Sequence, residues 1–154
     1  MWPIVIVVLV VAMMIGPVMI MQPTKGQKRL AALRRYAAAQ GLHVNASQIK
    51  TSDDTVCWFY WLPLAEKDQL PIMRLERQNY AHGLHVAKYW AFKTPETEVP
   101  QAIERFLLTL PPSVCGFETK THAVGVHWSE AGGQKNLDTW LPGLQSLVDT
   151  VVAY

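Results

Sequence analysis

The sequence predicts an α+β fold: one N-terminal transmembrane helix, a juxtamembrane helix, and a small, mostly antiparallel sheet with helices on one face. Three observations lead to this prediction. The chain begins with a long apolar run that carries no charge. Further on, apolar residues recur first with the period of a strand and later with the period of a helix. These strand-like and helix-like segments are grouped in runs, which is typical of α+β domains.

Residues 1–22 are predicted to be the transmembrane helix. No side chain from Trp2 to Gln22 is charged, and a helix of this length rises about 31 Å, close to the ~30 Å of a bilayer's hydrocarbon core. Trp2 would lie among lipid headgroups, and Gly16-Pro17 would bend the last turn. A cleaved signal peptide is one alternative, but no basic residue precedes the run and no small-x-small step follows it. A buried core helix is the other, but the run has no polar face.

The charges that flank this segment predict its orientation. Its N-terminal side offers only the α-amino group. Its C-terminal side carries Lys25, Lys28, Arg29, Arg34 and Arg35. Basic residues beside a span stay in the cytoplasm, so we expect the N-terminus outside and residues 42–154, the α+β domain, inside.

Residues 23–41 are predicted to be a basic amphipathic helix beside the membrane. Thr24 is a candidate N-cap and Gly41 a candidate C′ residue. One face of this helix collects Lys25, Lys28, Arg29 and Arg35, and the opposite face carries Leu30, Leu33 and Ala37. The basic face either serves only to fix the topology or docks on anionic lipids or a partner. The sequence leaves both open.

The order of these segments resembles a known family. A span with its N-terminus outside, then Gln22-Pro23, then Lys25-Gly-Gln-Lys-Arg-Leu30, is similar to the YajC family of bacterial translocase accessory proteins over residues 4–41. That family continues with Gly-Asp-x-Val and Thr-x-Gly-Gly patterns in a small β domain, whereas this chain reads Leu42-His-Val-Asn-Ala-Ser47. The resemblance implies a single-pass protein of the bacterial inner membrane and an accessory role in translocation. It assigns no functional residue.

The first half of the domain reads as strands. They are expected at 42–46, 55–62, 71–78 and 84–93, as an antiparallel meander. The strand at 55–62 is apolar on both alternating faces, so it is either a central strand or one whose outer face meets a partner. Glu66-Lys67-Asp68 predicts a turn.

Two helices and a hairpin complete the domain. Thr97 is expected to cap a helix that stops at Pro111-Pro112. Strands at 114–119 and 123–129 should form a hairpin around Lys120-Thr121. Asn136 is expected to cap a last helix, which Pro142-Gly143 interrupts or restarts. The apolar end of the chain, residues 151–154, should be docked rather than frayed.

The charge distribution excludes one class of function. The net charge of +2 divides into +5 for residues 1–41 and −3 for residues 42–154. A nucleic-acid-binding domain needs its basic patch on the folded part, so we expect no nucleic-acid partner. Cys57 and Cys115 lie in apolar runs, and in the cytoplasm they should be buried, reduced thiols.

No set of residues commits the chain to a chemistry. His82-Gly-Leu-His85 is the closest histidine pair, and a metal site would need a further ligand from Cys57, Cys115, His122 or His127. A turn and a strand need not bring such side chains together, so we predict no metal and no cofactor. No nucleophile motif or phosphate loop occurs. We therefore expect neither an enzyme nor a small-molecule substrate.

The sequence thus favours a non-catalytic accessory subunit of an integral membrane protein complex. Its docking residues would be Trp2, Gly16, Pro17, Lys25, Lys28, Arg29 and Arg35, with Trp58 and Trp61 as interface aromatics if their strand is an outer one. A translocation accessory factor is an alternative. A small membrane-tethered enzyme or metal-binding sensor, with Cys57, His82 and His85 near a pocket, is another.

Overall fold

The computed structural model describes residues 1–65 and 70–152, without the side chains of residues 151 and 152. Its helices are α1 (Trp2–Ile20), α2 (Lys25–Ala39), α3 (Gln101–Thr109) and α4 (Gly133–Val152). Its strands are β1 (His43–Lys50), β2 (Val56–Pro63), β3 (Met73–Arg77), β4 (Trp90–Phe92), β5 (Val114–Lys120) and β6 (Ala123–Trp128). The turn predicted at 66–68 and the predicted docking of residues 151–154 lie outside this description.

Helix α1 is long and apolar enough to cross a membrane. It has 19 residues, a proline in its first turn and Pro17 inside it, and none of its residues is buried. A signal sequence near the N-terminus would meet the same criterion of length and apolar composition. The coarse prediction of an apolar N-terminal helix is therefore confirmed.

Helix α2 begins and ends as its sequence predicts. Thr24 N–H donates to Gln27 Oε1 (3.0 Å) and Gln27 N–H donates to Thr24 Oγ1 (3.2 Å), which is a capping box. At the other end Gly41 has φ +86° and Leu42 N–H donates to the carbonyl of Ala37 (3.1 Å). The chain divides inside this helix into two compact units, Met1–Ala32 and Leu33–Tyr154.

The second unit is an α+β domain, as predicted. Its six-stranded antiparallel sheet has the order β1-β2-β6-β5-β3-β4. One apolar cluster joins Leu33 and Ala37 of α2 with the buried residues of α3, of α4 and of one side of the sheet. Helices α3 and α4 and the C-terminal part of α2 thus pack on the same face of the sheet. We call it the inner face, marked by Tyr60, Leu62, Val126 and Trp128, and the opposite side the outer face.

The predicted meander is wrong. The β5–β6 hairpin, which was expected, is inserted between β2 and β3, so that Trp58 pairs with Trp128 and Leu75 pairs with Phe117. The burial of the strands gives the reason. Every residue of β6 is buried, and most of β5 is, so these two strands take the centre and the earlier strands flank them.

The strand predicted at 84–93 is also largely wrong, because only β4 (Trp90–Phe92) forms. Ala87 and Lys88 have positive φ angles of 46° and 73°, and they turn the chain so that Val86 pairs with Trp90. Leu84, at the start of the predicted strand, is 87% exposed. The alternation of apolar residues here reflects a tight turn and one short strand.

Two predicted helix boundaries are wrong. Helix α3 begins after Pro100, and Thr97 is not its cap. Helix α4 already begins at Gly133, and the Asn136 side chain donates to the carbonyl of Ala131 (2.9 Å) from inside the first turn. The helix passes Pro142-Gly143 without interruption. A Cβ at Gly143 would lie 2.9 Å from a ring carbon of Phe106, so this glycine permits the close contact of α4 with α3.

Candidate functional site on the outer face of the sheet

An irregularity in β1 shapes the outer face. The register with β2 runs from His43 opposite Trp61 to Ala46 opposite Trp58, then shifts before Lys50. Residues 47–49 therefore bulge out of the ladder. Ile49 forms a second small apolar cluster with Cys57 and Cys115, separate from the main core. The bulge thus carries Ser47 and Ile49 over the middle of the sheet.

The two cysteines of this cluster are bonded to each other. Cys57 lies on β2 and Cys115 on β5, with their Cα atoms 7.3 Å apart. A register shift in β5 between Val114 and Gly116 lets Cys115 reach toward β2 past the end of β6. Both residues are buried, as expected, but the expectation of two free thiols is wrong for this structure.

A chain of three polar side chains lies beside this cluster. Ser47 Oγ is 2.7 Å from Nδ1 of His127, and Nε2 of His127 is 3.1 Å from Oε2 of Glu118. His127 is 4% exposed, so its ring is inside the protein. A carboxylate can only accept, so Nε2 carries the proton, Nδ1 is the acceptor, and the Ser47 hydroxyl donates to it.

Packing holds the His127 ring in place. The ring of Phe59 stacks on it, with centroids 4.6 Å apart and an interplanar angle of 25°. Gly116 leaves room at its other edge, since a Cβ there would lie 2.9 Å from the histidine Cδ2 and 2.9 Å from Ile49 Cδ1. The ring is therefore fixed both by hydrogen bonds and by contacts on its faces.

Cations surround the carboxylate end of this chain. Lys120 Nζ lies 3.6 Å from Oε2 of Glu118. The hydrogen bond from His127 is the largest cause that lowers the pKa of Glu118. Burial raises this pKa by less, and the positive charge of Lys120 lowers it further. Glu118 is thus held as a carboxylate at neutral pH.

These side chains line an open cavity. Its volume is about 320 Å³, and its wall includes Ser47, His127, Glu118, Lys120 and Arg74. Arg74 donates to Glu76 (3.3 Å), but its Nε is buried and no acceptor for it lies among the described residues. The cavity is therefore a polar one, lined by a serine hydroxyl and by the cationic side chains of Lys120 and Arg74.

A different polar group lies on the inner face. Arg34 of α2 makes a two-pronged ion pair with Glu130 (2.7 and 2.8 Å), and the Tyr60 hydroxyl donates to the same carboxylate (2.7 Å). The guanidinium also lies 3.8 Å from the centre of the Trp58 ring. The hydrogen bond with Glu130 raises the pKa of Arg34. One of the five flanking basic residues is thus part of the folded domain.

The predicted interface aromatics are only half-buried, and their strand is not an outer one. β2 lies between β1 and β6. Trp58 is covered by Arg34, and Trp61 stacks on His43 with centroids 4.4 Å apart. The remaining predicted docking residues are exposed: Trp2, Gly16, Pro17, Lys25, Lys28, Arg29 and Arg35.

The residues weighed for a metal site do not gather into one. The rings of His82 and His85 are 5.6 Å apart, near Tyr80, while Cys57 is bonded to Cys115. No group of three His, Cys, Asp or Glu residues able to hold a metal ion occurs within residues 1–65 and 70–152.

Sequence reasoning missed the Ser47–His127–Glu118 chain. It depends on a bulge in β1 and on the pairing of strands that are distant in the sequence, and neither has a local signal. One signal was present: in Ala123-Val-Gly-Val-His-Trp128 a histidine occupies a strand whose neighbours are all apolar. A histidine in such a strand needs buried hydrogen-bond partners.

Comparison with known proteins adds no relative. No protein-family model matches the chain, and no curated protein or solved structure is significantly similar to it. The functional argument therefore rests on the residues themselves.

Proposed function

We propose that this chain is a single-pass accessory subunit of an integral membrane protein complex, with α1 as its anchor and the α+β domain as an interaction module. The observation that carries the proposal is α1 itself. Its apolar side chains are exposed all round, and only a lipid or protein surrounding of the same polarity would cover them.

The cations of α2 support a role in docking. Lys25, Lys28, Arg29 and Arg35 are exposed and make no ion pair with any described residue, whereas Arg34 is held by Glu130. At an anionic lipid surface each free cation is worth about 1 kcal/mol. These residues are thus available to anionic lipids or to an acidic partner surface.

The orientation belongs to the same proposal. We expect the domain in the cytoplasm and the N-terminus outside, because basic residues follow α1 and such residues tend to stay on the cytoplasmic side. The resemblance to the YajC family supports the inner membrane of a bacterial cell as the location. The disulfide favours the opposite side, because disulfides persist in oxidising compartments. The proposal therefore requires Cys57 and Cys115 to be reduced in the cell. To test this, cells are denatured directly in a thiol-blocking reagent. Modification of Cys57 and Cys115 is expected, whereas two unmodified cysteines joined in a disulfide would indicate that the domain lies outside the cytoplasm.

A translocation accessory factor is the more specific version of this function. It is supported by Gln22-Pro23 and the basic segment 25–30, which resemble the YajC family. In that case the partner in the complex would be the protein-conducting channel.

Purification of the full chain in a mild detergent tests the proposal. We expect it to elute with a larger membrane protein. Replacing Lys28, Arg29 and Arg35 by glutamine should weaken association by about 3 kcal/mol, or roughly 100-fold, without changing membrane insertion. The matched control replaces three exposed cations of the domain, Lys88, Arg105 and Lys135. A peak that contains only this chain and lipid would overturn the proposal.

A further inference from the structure

We propose that Ser47 is a nucleophile that accepts the acyl group of small anionic esters, with His127 as its general base and Glu118 as the residue that orients the base. This activity goes beyond the accessory role. A domain with this activity would be a membrane-tethered hydrolase as well as an interaction module.

The geometry is that of an activated hydroxyl. Nucleophilic serines have a base within hydrogen-bond reach, and a third group orients that base. Here Ser47 Oγ lies 2.7 Å from Nδ1 of His127, and Glu118 lies 3.1 Å from Nε2. The two ring nitrogens are exchanged relative to the serine proteases. The roles are unaffected, because a neutral imidazole has one donor and one acceptor nitrogen in either tautomer.

The residues around His127 determine its tautomer and the orientation of its ring. Glu118 fixes the tautomer in which Nδ1 is free to take a proton, and it would stabilise the imidazolium that forms. The imidazole is kept from rotating away from Ser47 by the stacked ring of Phe59 and by the backbone at Gly116, against which it lies closely. The backbone N–H of Ile49 donates to Ser47 Oγ (3.0 Å), which leaves the hydroxyl proton for His127.

The cavity gives access and indicates the substrate class. Ser47 is half-buried and lies in the wall of the 320 Å³ cavity, which is wide enough for a small acyl group. Lys120 and Arg74 lie in the same wall, and their positive charges would attract a carboxylate or phosphate on the substrate.

The reaction balances with water as the second reactant. Ser47 Oγ forms a bond to the acyl carbon while its proton moves to Nδ1 of His127. The ester C–O bond then breaks, and the leaving alcohol takes the proton from His127. Water repeats these steps on the acyl-serine, its proton again passing through His127, and releases the carboxylic acid. The net change is ester plus water to acid plus alcohol.

The alternative is a structural one. The same hydrogen bonds could serve only to tie the β1 bulge to β6, since buried polar groups need partners wherever they occur. A structural serine would not react with electrophiles faster than other serines, so reactivity separates the two.

Covalent labelling tests the proposal on the full chain in detergent. A fluorophosphonate should add once per chain, and peptide mass spectrometry should place the adduct on Ser47. Ser47→Ala should abolish labelling, whereas Ser52→Ala, which changes an exposed serine in the β1–β2 turn, should not. Glu118→Gln should slow labelling at least about 10-fold with circular dichroism unchanged. No adduct, or adducts spread over several serines of the unmodified chain, would overturn the proposal without the use of any variant.

Ester turnover tests the substrate class. The mono-p-nitrophenyl ester of succinic acid should give a burst of p-nitrophenol and a higher kcat/KM than p-nitrophenyl acetate. Lys120→Ala should lower the ratio of the two kcat/KM values by about 10-fold, because the anionic ester loses a counter-charge that the neutral ester does not use. An unchanged ratio would show that the cavity does not select anionic esters.

Discussion

The two faces of the sheet are built from alternate residues of the same strands, yet they bury polar groups for different reasons. On the inner face Tyr60 and Trp128 pack against Trp140 of α4, and the buried carboxylate of Glu130 is matched by Arg34 and the Tyr60 hydroxyl. On the outer face, opposite the side that α3 and α4 cover, His127 is buried by one stacked ring and a strand bulge, and its partners line an open cavity. Alternation alone sets which residues go to which face. Whether a polar group forms a buried ion pair or lines an accessible cavity depends on the helices or loops that cover it.

The largest expected effect concerns apolar packing on the inner face. Trp128→Ala removes a fully buried ring that contacts Tyr60 and Trp140, and should lower the free energy of unfolding by about 3–5 kcal/mol. Trp61→Ala, on the outer face, removes a half-buried ring and should cost about 1–2 kcal/mol. Urea denaturation followed by far-UV circular dichroism measures both. Equal losses would mean that the outer face is as fully packed as the inner one.

The next effect concerns the inner-face ion pair. Glu130→Gln leaves Arg34 without its counter-charge, and should cost about 2–3 kcal/mol, since the carboxylate is buried but the arginine is 31% exposed. The matched control is Asp54→Asn, which breaks the exposed Lys50 pair and should cost under about 0.5 kcal/mol. The same denaturation measurement applies. Similar losses in the free energy of unfolding for the two variants would contradict a stabilising role of the Arg34–Glu130 ion pair.

The smallest effects are in the pH dependence of stability, where the two faces act at opposite ends of the scale. The pKa of Glu118 is lowered by its hydrogen bond to His127, so its contribution is present above about pH 4.3 and is lost as the pH falls below it. The pKa of Tyr60 is raised by burial and then by its hydrogen bond to Glu130, so its contribution is present below about pH 10 and is lost at higher pH.

Two variants separate these terms. Glu118→Gln should flatten only the acid side of a plot of unfolding free energy against pH, and Tyr60→Phe only the alkaline side. Thermal unfolding between pH 3 and pH 11 gives the plot. If Glu118→Gln changed the alkaline side of the plot, or Tyr60→Phe the acid side, the pH dependence would have a cause other than the pKa shift of that residue.

Local patterns predicted the local structure well. The apolar run of α1, the Thr24 cap, the Gly41 terminus and the β5–β6 hairpin all depend on residues close in sequence, and all are found. The order of strands was not predictable in the same way. Both faces of β2 are apolar, and that pattern is satisfied equally by any two neighbours.

The candidate site shows the same limit more sharply. Ser47, Glu118 and His127 come from three strands, and they meet only because β1 bulges and the β5–β6 hairpin is inserted beside β2. The spacing of these residues in the sequence does not predict that their side chains lie close together. The two misplaced helix caps have a different origin: at Thr97 and Asn136 the residue type was right, but the helix begins elsewhere.

The insertion of the C-terminal hairpin beside β2 also has a consequence for synthesis. A chain made from its N-terminus presents α1 first, and β1 and β2 can pair soon afterwards. The other edge of β2, with its row of aromatic residues, stays open until β6 has left the ribosome. During that interval the nascent domain would expose an unpaired edge of a strand rich in apolar residues, a situation in which chains need protection from aggregation.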